Sequence, residues 1–120
     1  MRIGLLAYGA IGHEHSLAIQ ATDGLDLAAV CDTNTERIAA ALELVPDAAS
    51  FSDAMEMLDS GLIDAVVIST PPNSHFHWAK CALERGLHVI LEKPMALTVE
   101  QCDELIGLAD SRGLTLVVYQ

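Results

Sequence analysis

The sequence predicts one α/β domain, in which helices cover both faces of a parallel sheet. Short apolar runs alternate with longer helical patterns along the whole chain. Hydrophobic residues make up 52% of the 120 positions but aromatic residues only 4%, so the core must be aliphatic. Such a core is typical of parallel strands that are buried on both faces. No linker, repeat or low-complexity segment interrupts the pattern, and a single domain over residues 1–120 is therefore expected.

The expected strands are apolar runs that end at small or polar residues. They cover residues 2–8, 25–31, 48–51, 63–69, 88–92 and 114–119. Because a helical pattern separates each run from the next, the connections should be right-handed crossovers between parallel strands. Six strands joined in this way favour the doubly wound order 3-2-1-4-5-6, with three layers of helix, sheet and helix.

The expected helices lie between the strands. The first follows a glycine-containing segment through residue 21, and the others cover 36–44, 53–58, 73–85 and 98–112. The segments 33–36 and 98–101 have the pattern of a capping box, which satisfies free amides of the first helical turn. Ser52 is the expected cap of the third helix, and Gly86 and Gly113 should end the last two.

The connection after the first strand is a candidate phosphate-binding loop. Its sequence is Ala7-Tyr8-Gly9-Ala10-Ile11-Gly12, which matches G-x-G-x-x-G except for alanine at the first glycine. Gly9 would let the backbone approach a pyrophosphate, and Gly12 would let the helix pack closely on the strand. The helix N-terminus then offers free N–H groups to the anion. Ala7 is a tolerable departure provided that its φ angle is negative.

An acidic residue ends the second strand. Asp32 follows Gly12 by twenty positions, where a carboxylate can accept both hydroxyls of the adenine ribose. Asp32 could also be a turn residue before the helix cap, and the two roles are compatible. Because Thr33 follows Asp32 in place of an arginine that would receive a 2′-phosphate, NAD is expected in preference to NADP. Arg37, one helical turn further on, could soften this preference, so NADP stays an open alternative.

Charged residues also follow the fifth strand. Its apolar run leads directly into Glu92-Lys93-Pro94. Ligands of open α/β sheets bind at the carboxyl ends of the strands. Lys93 could therefore donate to a substrate oxygen, Glu92 could accept from a ribose hydroxyl, and Pro94 would fix the backbone that aims them. The alternative is a strand end with two solvated charges and a turn proline.

The composition argues against several other classes of protein. A net charge of −11 disfavours nucleic acid and acidic membranes as partners, although backbone amides can still hold the phosphates of a dinucleotide. No apolar run is long enough to span a bilayer, and the chain enters its first strand without room for a signal peptide. Three cysteines in apolar settings indicate reduced thiols and a cytoplasmic location. The segment His13-Glu14-His15 is not spaced as a metal site, so no metal is expected.

Taken together, the motifs resemble the N-terminal domain of the Gfo/Idh/MocA (glucose-fructose oxidoreductase / inositol dehydrogenase) family. The resemblance covers essentially the whole chain and rests on the glycine loop with His15, on Asp32, on Thr70-Pro71-Pro72-Asn73 with His75, on residues 82–89, and on Glu92-Lys93-Pro94. It implies a Rossmann domain and NAD(P)-dependent hydride transfer to or from a sugar, cyclitol or related polyol. The alternative is a stand-alone nucleotide-binding or regulatory module without turnover.

The resemblance also implies roles for individual residues. Lys93 would be the catalytic residue near the nicotinamide, and the Lys93–Pro94 peptide bond would be cis. The residues that would lie beside the dinucleotide after the fourth strand are Ser69, Thr70, Pro71, Asn73 and His75. Family members continue into a second, substrate-binding domain, which this chain lacks. The isolated chain is therefore expected to bind NAD weakly, to be inactive, and to self-associate as a homo-oligomer through the surface that this second domain would cover.

Overall fold

Six parallel strands form the centre of the computed structural model, which describes residues 1–119. The strands are β1 (Arg2–Leu6), β2 (Asp26–Cys31), β3 (Ala49–Phe51), β4 (Ala65–Ile68), β5 (His88–Glu92) and β6 (Leu116–Tyr119). Their order across the sheet is β3-β2-β1-β4-β5-β6, and each neighbouring pair is parallel. The predicted fold class and strand order are confirmed.

Within residues 1–119, helices cover both faces of this sheet. They are α1 (Ala10–Gln20), α2 (Thr35–Leu44), α3 (Ala54–Leu58), α4 (His75–Glu84) and α5 (Val99–Arg112). Helices α1 and α2 pack on one face, where Ile19 and Ala41 join buried residues of β1 and β2. Helices α3, α4 and α5 pack on the other face around Leu83 and Leu105. In this part of the chain no helix is both long and apolar enough to cross a membrane.

Two of the predicted helix caps are wrong by one residue. Helix α2 is capped by Asn34, whose side chain accepts from the backbone N–H groups of Glu36 and Arg37. Helix α3 is capped by Asp53 in place of Ser52, and its carboxylate accepts from the Met55 N–H at 2.9 Å. In both cases the residue with the better acceptor and an extended backbone takes the cap position.

The predicted fourth helix ends one residue early, at Glu84, with Gly86 just beyond it in the left-handed region, and its start is not a regular α-helix. The segment Pro72–Ser74 forms a 3₁₀ turn, and α4 begins only at His75. Pro72 cannot donate a backbone hydrogen bond, so it is tolerated at the start of this turn. Later in the chain, Thr98 caps α5 as predicted, and Gly113 ends that helix with a left-handed φ of 66°.

Ala7 departs from the expected backbone conformation. Its φ angle is +76°, in the left-handed region, whereas a negative φ is expected for an alanine. The turn leaves little choice, because the Ala7 N–H donates to the Cys31 carbonyl at 2.8 Å and the chain must then reverse into α1. An alanine in this region costs roughly 1–2 kcal/mol relative to its usual conformations, and glycine does not bear that cost.

We therefore expect Ala7→Gly to stabilise the domain. Relief of the left-handed strain outweighs the greater unfolded-state entropy of glycine, which offsets about 0.4–1 kcal/mol of it. The net gain should be on the order of 0.5 kcal/mol, measured by urea unfolding. Ala10→Gly, in the first turn of the neighbouring helix, is the control and should destabilise the domain. A loss of stability in Ala7→Gly would contradict the strain at this position.

Candidate functional site

The candidate site lies at the carboxyl edge of the sheet, beside neighbouring strands β1 and β4. The helices that follow these strands, α1 and α4, pack on opposite faces, so the chain opens a crevice between them. A cavity of about 550 Å³ occupies this edge. It is lined by Leu6, Ala7, Cys31, Asp32, Thr33, Arg37, Ser52, Asp53, Ala54, Thr70, Pro71, Ser74 and Trp78.

The glycine loop leaves the N-terminus of α1 open. Gly9 is the cap residue, and no side chain satisfies the free amides of the first turn. Among residues 1–119, and apart from the adjacent residues of the chain, a Cβ atom on Gly9 would meet only Arg37 Nη1, at 4.0 Å, so this side of the loop is open. A Cβ atom on Gly12, in contrast, would lie 2.4 Å from the carbonyl oxygen of Ala7. Gly12 is therefore required for packing, while Gly9 provides room for an anion.

Asp32 is held firmly where β2 ends. Its side chain is only 5% exposed. Oδ2 accepts from the backbone N–H of Tyr8 at 2.8 Å, and Oδ1 accepts from that of Asn34 at 2.9 Å. Arg37 Nη1 lies 3.7 Å from Oδ2. Each carboxylate oxygen has two acceptor positions, so both oxygens can still accept a hydroxyl. Asp32 thus has the turn role considered above and keeps the capacity to bind a ribose.

Cys31 forms an apolar part of the cavity wall next to this carboxylate. The residue is 2% exposed. Burial, followed by the negative charge of Asp32, raises the pKa of its thiol to about 11. The thiol therefore remains protonated at neutral pH, and it is a packing group rather than a nucleophile.

The loop after β4 forms the opposite wall. Thr70 and Pro71 line the cavity, and the Thr70 hydroxyl accepts from the Ser74 hydroxyl at 2.7 Å. The hydroxyl of Ser69 is buried and has no hydrogen-bond partner within residues 1–119. Asn73 is exposed and outside the cavity lining. The structure thus brings Thr70 and Pro71, but not Asn73, against the same space as Asp32.

His75 joins two of the predicted cofactor segments. It is 1% exposed, with Nε2 2.8 Å from the carbonyl oxygen of Thr70 and Nδ1 2.7 Å from that of Pro94. The side chain is thus buried between the loop after β4 and the turn after β5. These contacts give His75 a loop-stabilising position.

The turn after β5 lies apart from the cavity around Asp32. Glu92 faces helix α1, with its Oε1 atom 2.5 Å from His15 Nε2. Lys93 is exposed and forms no ion pair within residues 1–119. The Lys93–Pro94 peptide bond is cis, which confirms that prediction. The predicted residues are therefore divided between the cavity at Asp32 and the exposed turn at Lys93.

The two imidazoles of the segment His13-Glu14-His15 contact different residues. His13 Nδ1 is 2.9 Å from the hydroxyl of Tyr8, whereas His15 contacts Glu92. Across residues 1–119, no group of three His, Cys, Asp or Glu side chains could hold a metal ion.

Several cavity residues did not emerge from the sequence argument. Ser52 and Asp53 follow β3, and their place after an expected strand was the available signal. Trp78 packs on the core, and it also lines the cavity from α4. An aromatic residue in a helix carries no local sign that it faces a ligand pocket.

Comparisons with known proteins agree with this geometry. The chain is 39% identical over 119 residues to UDP-N-acetylglucosamine 3-dehydrogenase of Acidithiobacillus ferrooxidans, covering 98% of this chain and 36% of that protein. It is 28% identical to the scyllo-inositol 2-dehydrogenase (NADP(+)) IolW of Bacillus subtilis, over 99% of this chain and 33% of that protein. The structure of scyllo-inositol dehydrogenase from Lactobacillus casei with bound NAD(H) and scyllo-inositol matches 98% of this chain and 35% of that one, with a TM-score of 0.90 and 25% identity.

The chain thus spans about a third of the length of these relatives. The family model described as "Oxidoreductase family, NAD-binding Rossmann fold" matches residues 1–120. The chain therefore belongs to the Gfo/Idh/MocA family of oxidoreductases, of which it is an NAD-binding Rossmann domain.

Proposed function

We propose that this domain binds NAD along the carboxyl edge of the sheet and serves a dehydrogenase that acts on a sugar, cyclitol or related polyol. The observation that carries the proposal is Asp32, a buried carboxylate whose oxygens are oriented by two backbone N–H groups. Such a group suits the paired hydroxyls of a ribose. Nothing in the described residues or the comparisons favours a stand-alone module without turnover.

In the proposed arrangement, the cofactor extends along this edge from the cavity at Asp32 to the turn at Lys93. The adenosine occupies the cavity, with its ribose hydroxyls on Asp32. The pyrophosphate lies on the free amides of the α1 N-terminus, in the open space beside Gly9. Ala7, Ala10, Ile11 and Gly12 shape this loop. Ser69, Thr70, Pro71, Asn73 and His75 border or support the middle of the cofactor, and the nicotinamide extends toward Glu92, Lys93 and Pro94.

Lys93 is the proposed catalytic residue. The bound cofactor supplies the chemistry of hydride exchange with the carbon of a carbinol or carbonyl group. The exposed ammonium of Lys93 has no competing ion pair within residues 1–119, so it is free to donate to the substrate oxygen. A donor at that oxygen stabilises negative charge as the carbinol proton leaves.

The substrate class and the extent of the active enzyme belong to the same proposal. Relatives about three times as long are named for a UDP-sugar and for scyllo-inositol. We expect residues from a second domain to complete the substrate pocket, because Lys93 alone cannot both orient a polyol and remove its proton. The 120-residue chain mixed with NAD and a panel of sugars and cyclitols should therefore produce no NADH.

The same proposal includes self-association and a cytoplasmic location. Four large apolar side chains near the end of the chain are exposed. Leu97, in the segment between β5 and α5, and Val99, the first residue of α5, are 62% and 72% exposed. In β6, Val117 and Tyr119 are 46% and 54% exposed. Exposed apolar side chains in this region favour a second copy as partner. Light scattering should detect a concentration-dependent dimer. The free thiols of Cys31, Cys81 and Cys102 suit a reducing compartment.

Cofactor choice provides the direct test of the binding site. Asp32 should repel a 2′-phosphate, so calorimetric titration of the chain should give at least tenfold tighter binding of NAD than of NADP. Arg37 limits the difference, because its guanidinium lies 3.7 Å from the Asp32 carboxylate. Arg37→Met should therefore widen the gap. Tighter binding of NADP than of NAD by the unmodified chain would overturn the assignment of Asp32.

A further inference from the structure

We propose that His15 and His75 are positioning residues that jointly aim Lys93 at the nicotinamide end of the cofactor. The inference rests on the proposed function of Lys93. It adds that this lysine is directed by its two flanking residues, each of which is held by a histidine from a different helix. The two histidines come from α1 and from the start of α4, on opposite faces of the sheet.

The first anchor acts on the residue before Lys93. His15 Nε2 lies 2.5 Å from Glu92 Oε1, and the two side chains are only 10% and 16% exposed. The other side of the imidazole is packed by Tyr119, with ring centroids 5.0 Å apart and planes at 72°. Tyr119 is itself the β6 neighbour of Glu92 in the sheet. Packing and hydrogen bonding thus leave the Glu92 carboxylate little freedom to turn.

The second anchor acts on the residue after Lys93. His75 Nδ1 lies 2.7 Å from the carbonyl oxygen of Pro94, while Nε2 reaches the carbonyl of Thr70 at 2.8 Å. His75 is 1% exposed, so water does not compete for these contacts. The backbone on the far side of Lys93 is therefore tied to the loop that lines the adenosine cavity.

The backbone that carries Lys93 is thus held at both neighbouring residues, while the Lys93 side chain itself is exposed. Lys93 is exposed and has no ion pair of its own within residues 1–119, so its direction depends on the backbone that carries it. Displacement by even about 1 Å at a reacting group can cost a large factor in rate or affinity. His15 and His75, which are not proposed to contact the nicotinamide or the substrate, can therefore control how well Lys93 reaches the nicotinamide half of the cofactor.

The test compares NAD with ADP-ribose, which lacks the nicotinamide. Calorimetry on the 120-residue chain yields the affinity ratio of the two ligands for each variant. His15→Phe keeps an aromatic ring beside Tyr119 but removes the contact with Glu92. In the absence of substrate, Lys93 is expected to donate to the carboxamide oxygen of the nicotinamide. His15→Phe should therefore lower the ratio of NAD affinity to ADP-ribose affinity about tenfold, the loss expected for one misplaced charged hydrogen bond. Lys93→Met should lower the ratio similarly, and the double variant should be no worse than Lys93→Met alone.

His77→Phe on the exposed side of α4 is the matched control, and its ratio should equal that of the unmodified chain. A purely structural His15 would change the thermal midpoint but leave the ratio unaltered. An unaltered ratio in His15→Phe, or additive losses in the double variant, would overturn the positioning role. If His15→Phe does not fold, His75→Leu takes its place, because leucine can make neither of the two imidazole contacts. An unaltered affinity ratio in that variant would likewise overturn the positioning role.

The proposed function can fail separately. If ADP-ribose does not bind to the unmodified chain, the cofactor site itself is misassigned and the inference falls with it. If ADP-ribose binds but Lys93→Met leaves the ratio unaltered, the cofactor site stands while the role of Lys93 and of its two anchors is refuted.

Discussion

Gly12→Ala should destabilise the domain by at least about 3 kcal/mol and abolish measurable NAD binding. The added Cβ would lie 2.4 Å from the Ala7 carbonyl oxygen, a backbone atom that cannot move without opening the turn. Overpacking of this kind typically costs 1–3 kcal/mol, and more where no side chain can yield. The helix must shift away from β1, and the amides proposed to hold the pyrophosphate shift with it.

Gly107→Ala is the matched control for this substitution. Gly107 is also a helical glycine, in α5, but a Cβ atom there would meet nothing within 4 Å. Alanine is the better helix former by about 1 kcal/mol, so this variant should be more stable than the unmodified chain. Urea unfolding and calorimetry measure both variants. A Gly12→Ala chain with unmodified stability and NAD affinity would refute the tight packing of α1 on the turn after β1.

Asp32→Asn should weaken NAD binding by about 2–3 kcal/mol, or roughly 30- to 150-fold. The substitution preserves the shape of the side chain but replaces a charged acceptor pair with one neutral acceptor and one donor. The new NH₂ group must also face the backbone N–H of Tyr8 or of Asn34. Because both groups are donors, one of the two hydrogen bonds that Asp32 accepts from the backbone is lost. Affinity for NADP should fall less, because the repulsion of the 2′-phosphate is removed.

Asp26→Asn tests whether the effect is local. Asp26 begins the same strand at the opposite edge of the sheet, and it is exposed. Its substitution removes the same charge without touching the cavity, so NAD affinity should remain within about twofold of the unmodified value. Equal losses in the two variants would indicate a general charge effect and would contradict a specific contact between Asp32 and the ribose.

The sequence by itself determined the fold and the part of the candidate site around Asp32. Apolar runs separated by helical patterns are local signals, and parallel strands with right-handed crossovers leave few ways to connect them. The spacing from Gly12 to Asp32 places a helix N-terminus and an acid at neighbouring strand ends, because β1 and β2 pair directly. The helix caps were predicted less exactly, because two adjacent residues could each take the cap position, as Asn34 and Asp53 show.

Only the tertiary structure decided how distant segments support one another. The left-handed Ala7 follows from a turn that must meet both β2 and α1. The first glycine of G-x-G-x-x-G marks such a turn, but the alanine at this position gave no sign that the backbone conformation is kept. The contact between His15 and Glu92 joins residues 77 positions apart. His75 likewise became a bridge because two loops converge on it. Periodicity reports which face of an element is buried, but it does not report which buried polar groups meet, since that depends on how the elements pack.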